Sequence, residues 1–115
     1  MNVLFIVLNE LDYLDDILAK FLEIGVKGAT ILDSQGMASA LSGQGDNLPL
    51  FGSLMKLMDG ARPHNKTIFT LITEEEILNQ TIAAVQEILS SSKSGGAGVM
   101  FTLPVKSVCF LNQEV

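Results

Sequence analysis

The sequence predicts an α+β fold of βαββαβ order, and three observations carry that prediction. Apolar runs of strand length at 2–8 and 66–72 each lead into an amphipathic helical pattern. A second strand-like segment follows each of those helices, at 28–33 and at 99–103. A glycine-rich excursion from about 36 to 65 separates the two βαβ halves.

The first run, 2–8, is short and rich in β-branched and aromatic residues, so it reads as a buried strand. Asn9 stands where it can cap the helix that follows, with Glu10 and Asp12 in the positive first turn. Leu11, Leu14, Leu18, Phe21 and Leu22 recur at helical spacing, and Gly25 supplies a left-handed stop. The second strand is read over 28–33. Glycines at 36, 43, 45, 52 and 60 then break all periodicity until the third strand, 66–72. Thr73 with Glu74, Glu75 and Glu76 reads as a capping box. Ile77, Leu78, Ile82, Val85, Ile88 and Leu89 give the second helix its stripe. Residues 90–98 form a turn, 99–103 the fourth strand, and Pro104 bars its continuation. Residues 105–111 have room for a short terminal strand.

This is the split pattern of ferredoxin-like sandwiches. Right-handed crossovers put both helices on one face of a four-stranded antiparallel sheet. Yet strand one is apolar on both sides, at Val3, Phe5 and Val7 and at Leu4, Ile6 and Leu8. Helices dry one face only. Self-association dries the other; the alternative is that the excursion folds back over it.

At 115 residues the chain is expected to form one domain, 1–115. Its net charge of -6, with seven Lys and Arg scattered along it, argues against nucleic acid and anionic membrane surfaces. The single Cys109 makes no intramolecular disulfide and suits a reducing cytoplasm. No basic segment precedes the apolar start, and no apolar run reaches the roughly 20 residues that span a bilayer. A cytoplasmic protein without membrane insertion is the expectation.

Two stretches carry a family resemblance. The first is Leu14-Asp15-Asp16-Ile17 with Gly25-Val26-Lys27-Gly28-Ala29-Thr30-Ile31, ending at Gly36. The second is Gly96-Ala97-Gly98-Val99-Met100-Phe101 with Leu103-Pro104-Val105. Together, in this order across a long loop, they resemble the P-II nitrogen-regulatory signalling proteins. The resemblance implies a homotrimer with inward-facing sheets, a T-loop at about 37–65 and a glycine B-loop at about 93–98. It implies effector clefts between subunits for an adenine nucleotide or related anion, walled by Gly36, Met37, Ala38, Gly96, Ala97, Gly98 and Val99. It further implies a partner, a membrane transporter or an enzyme, engaged through the T-loop. Where the family carries its phosphate-holding lysine this chain has Val99, and Phe110 and Asn112 stand where it carries arginines. Ala40 or a neighbour replaces its adenine-reading glutamine.

Arg62, His64 and Lys66 cluster where the excursion returns to strand three, and are candidate replacement cations. Leu50, Phe51, Leu54, Met55 and Met58 fall about one helical turn apart after Pro49, the pattern of a short amphipathic helix that either docks a partner or packs on its own assembly. Cys109, between Val108 and Phe110, is read as a buried, inert thiol. No nucleophile and base pair up, His64 has no companion ligand for a metal, and no phosphate-loop motif occurs. Binding rather than catalysis is the expected function.

Overall fold

The structure, a computed structural model, describes residues 1–42, 64–92 and 96–111. In chain order its elements are β1 (Asn2–Leu8), a 3₁₀ turn (Leu11–Tyr13), α1 (Leu14–Ile24), β2 (Thr30–Ser34), α2 (Met37–Ser42), β3 (Asn65–Ile72), α3 (Glu75–Leu89) and β4 (Gly98–Pro104). The four strands form one antiparallel sheet in the order β2-β3-β1-β4. Helices α1 and α3 pack against each other and against one face of it. This is an α+β architecture compatible with a ferredoxin-like fold.

Strand alternation sorts β1 into two sets. Leu4, Ile6 and Leu8 point to the helices and are fully buried with Ile68, Ile17 and Val85. Phe21, Val26, Ile72 and Leu78 complete that core. Each such aliphatic side chain contributes roughly 1.5–3 kcal/mol on leaving water. Val3, Phe5 and Val7 point the other way and are half-buried. Register places Phe69 and Phe101 on either side of Phe5. The rings stack at centroid distances of 5.6 and 5.2 Å.

Several local readings change. Ile17, not Leu22, shares the buried stripe of α1 with Phe21; Leu22 is 73% exposed. The capping box does not form: Glu74 is the N-cap of α3, without a side-chain hydrogen bond, and Thr73 lies outside the helix. The first helical bond there, Leu78 N–H to the Glu74 carbonyl at 3.0 Å, starts one residue after Thr73. Asn9 caps no helix either; Glu10 holds the cap position, and Asn9 is drawn to other partners described below. Strand β2 starts at Thr30 rather than residue 28, because Gly28 uses its carbonyl to accept the Thr70 hydroxyl at 2.5 Å. Gly25 does stop α1, at φ 115°, its N–H donating to the Phe21 carbonyl at 3.0 Å.

The terminal strand is absent. After Pro104 the chain leaves β4, Val105 N–H bonds the Met1 carbonyl at 3.0 Å, and residues 105–111 cross the end of the sheet without pairing. Cys109 is exposed on that crossing, so the buried-thiol reading is also corrected. The excursion begins with the short helix α2; residues 43–63 lie outside the described structure. Among the described residues no helix is long and apolar enough to cross a membrane.

Candidate functional site

The antiparallel order brings the ends of β1 and β2 beside the starts of β3 and β4. Leu8 faces Lys66 on one side and Gly98 on the other, while Ser34 faces Asn65. Both roots of the excursion therefore meet the glycine turn at one sheet end. Gly36 lies against Asn65, and its carbonyl accepts the Ala40 N–H at 2.9 Å as α2 begins.

Asn9 holds the glycine turn in place. Its backbone N–H donates to the Ala97 carbonyl at 2.8 Å, and its Nδ2 donates to the Gly96 carbonyl at 2.8 Å. Its Oδ1 accepts from Asn65 Nδ2 at 3.2 Å. Asn65 is buried and in turn accepts from the Ser34 hydroxyl, which is 2.9 Å from Thr67 Oγ1. Gly98 closes the turn. A Cβ there would overlap the Val7 carbonyl oxygen, so β4 can approach β1 this closely only through glycine.

Of the predicted site residues, Gly36, Gly96, Ala97, Gly98 and Val99 come to this sheet end. Met37, the first residue of α2, is exposed, as is Ala40; Ala38 falls within the same helix. Arg62 and Asn112 lie outside the described residues, as do Leu50, Phe51, Leu54, Met55 and Met58. His64 is exposed just before β3. Lys66 points to the helix side of the sheet, paired with Leu8, and its Nζ sits 2.6 Å from Asp33 Oδ1. That bond and the ammonium charge hold the Asp33 carboxyl below its usual range, and His64 adds a lesser pull. Lys66 is thus engaged by Asp33 and points away from Asn9 and Asn65.

Asn9, Ser34, Asn65 and Thr67 are the residues that sequence reasoning passed over. Their signal was weak: polar residues at strand ends, bracketing a long loop. All four are neutral, so what this end offers is amides, carbonyls and hydroxyls.

A cavity of about 440 Å³ lies at the opposite end of the sheet, between Val3, Ala29, Thr30, Phe69, Val105 and Val108 among others, with no charged side chain in its wall. Phe110 lies beyond it, lining a second cleft of about 500 Å³ with Lys27, Glu74 and Ile77. At roughly 3.3 Å per residue, Val3 and Leu8 are about 17 Å apart, so the glycine turn and the uncharged cavity are separate in one chain. Among the described residues no group of three or more His, Cys, Asp or Glu could hold a metal ion. No protein-family model matches the chain, and no curated protein matches it either.

Proposed function

We propose that this chain is a cytoplasmic regulatory protein of the P-II type, acting by binding. In this reading three copies associate through their open sheet faces. A small effector, an adenine nucleotide or a related anion, occupies the clefts between copies. The β2–β3 excursion serves as a T-loop that carries the result to a transporter or enzyme.

The observation that supports this best is the open face itself. Across four strands it presents Val3, Phe5, Val7, Leu32, Phe69, Leu71, Val99, Phe101 and Leu103, with Thr30 and Thr67, and no charged side chain. Phe101 is 44% exposed and Val99 56%. In a chain of net charge -6, an uncharged apolar sheet face suits contact with further copies, where like charges do not oppose. Assembly also accounts for the two separated sheet ends. The glycine turn of one copy can meet the uncharged cavity of the next, and together they enclose what neither encloses alone.

A second reading, an interaction subunit of the same fold without an effector, is favoured by one observation. The one cation at this sheet end among the described residues whose partner is defined, Lys66, is bound to Asp33, and Val99 brings no charge to the turn.

Sedimentation equilibrium tests the assembly: the expected mass is three times the 12.4 kDa of one chain. A monomer at micromolar concentration overturns the reading. Calorimetry with ATP, ADP, AMP, cyclic dinucleotides and bicarbonate then separates its two forms. Heat and a raised melting temperature with one of them favour the sensor; a trimer indifferent to all of them favours the interaction subunit.

A further inference from the structure

The hydrogen bonds at the glycine-turn end run in one direction, and that direction is dictated. The Gly96 carbonyl can only accept, so Asn9 must turn its Nδ2 toward it, at 2.8 Å. Asn9 Oδ1 then faces Asn65, which must offer its Nδ2, at 3.2 Å. Asn65 Oδ1 is left facing Ser34, whose single hydroxyl proton goes to it. Ser34 Oγ thereby becomes the acceptor for the Thr67 hydroxyl, at 2.9 Å. Reversing Asn9 would set its Oδ1 against the Gly96 carbonyl, and reversing Asn65 would set its Oδ1 against that of Asn9. Asn65 is buried and Ser34 half-buried, so water does not readily replace a lost partner.

The chain of bonds joins three parts of the molecule that are distant in sequence. Ser34 and Asn65 are the two roots of the β2–β3 excursion; Asn9 directly follows β1; Gly96 belongs to the turn before β4. We infer that this relay is a coupling device: it makes the two loop roots and the glycine turn one conformational unit. A molecule that shifts either the roots or the turn changes the free energy of the other. By linkage the effect is reciprocal. The relay concerns the strand ends of the proposed effector cleft, but its test requires neither ligand nor trimer. The two proposals therefore fail separately.

The test is amide hydrogen exchange on the full chain, read at the Asn9 N–H, whose acceptor is the Ala97 carbonyl. Ser34→Ala cuts the relay at the loop root without touching the turn. With intrinsic rates corrected, it is expected to speed Asn9 exchange by about five-fold or more, while an effect below about two-fold overturns the coupling. The amides of Leu4, Ile6 and Ile68 are the control. Their acceleration to the same extent signals general loosening and also overturns it. Asn9→Ala cuts the relay in the middle, so in that background Ser34→Ala is expected to add nothing at the same amide. Effects that multiply instead show two independent contacts and sink the proposal.

Discussion

The two faces of the sheet are built from the same strands and meet different fates. On the helix side, Leu4, Ile6, Leu8 and Ile68 are aliphatic, interlocked with Ile17, Phe21, Leu78 and Val85, and essentially out of water. On the other side, Phe69, Phe5 and Phe101 form a stacked row flanked by valines and leucines that stay partly or largely exposed, Val99 and Leu32 most of all. The difference shows that apolar character in a strand does not say where its burial comes from. The first face is closed by the chain's own helices. The second is apolar enough for a core and has no helix over it among the described residues.

The largest expected effect breaks this comparison on the open side. Phe101→Glu puts a carboxylate in the aromatic row, and copies meeting there would bring those charges together, at a cost of several kcal/mol. Sedimentation is expected to show loss of the proposed trimer with circular dichroism unchanged; an assembly that persists moves the contact elsewhere. On the helix side, Ile6→Ala is expected to cost about 3 kcal/mol in urea unfolding, because the cavity left under two packed helices cannot collapse. A loss well under 1 kcal/mol would mean that the two faces are packed alike.

The smaller effects concern the edges of the comparison. Gly98→Ala is expected to cost about 2 kcal/mol, since β4 must move off the Val7 carbonyl. Chemical denaturation measures the cost, and crosspeak shifts confined to β1 and β4 locate it. Gly25→Ala is expected to cost about 1 kcal/mol through its left-handed φ alone, because the added Cβ meets Ile77 at an ordinary 3.9 Å. The smallest effect is that of Asp33→Asn. The folded-state carboxyl is depressed by Lys66, so the pair's contribution is complete above the ordinary Asp range and is lost as pH falls through the lowered value. Both groups reach solvent, and salt screens them. Melting curves from neutral to acid pH should therefore show the variant losing slightly less stability than the parent. A variant that loses more on acidification would show that the pair has no such role.

Much of the fold was legible because it follows from periodicity. The run Asn2–Leu8, the stripe of α3 and the φ-positive stop at Gly25 are local facts, set by side-chain alternation, helical spacing and the freedom of glycine. Capping was less legible. Thr73 and Asn9 have the right chemistry for N-caps, but β3 sets the entry to α3, and the glycine turn claims the Asn9 side chain. Leu22 and Cys109 illustrate the same limit: apolar character suggested burial, and the packing of α1 and the unpaired crossing after Pro104 left both exposed.

By itself the sequence determined the order of the four strands and two long helices, the antiparallel α+β class and the surplus of apolar residues on β1, because these depend on neighbours a few positions apart. Only the tertiary structure decided which residues share the sheet end. Asn9, Ser34, Asn65 and Gly96 have no pattern in one dimension; they become partners because register sets Asn65 opposite Ser34 and Leu8 beside Gly98. Likewise, only register aligned Phe69, Phe5 and Phe101 into one uncharged row. Contacts between distant segments are fixed by how strands pair, and pairing is decided by the whole core at once.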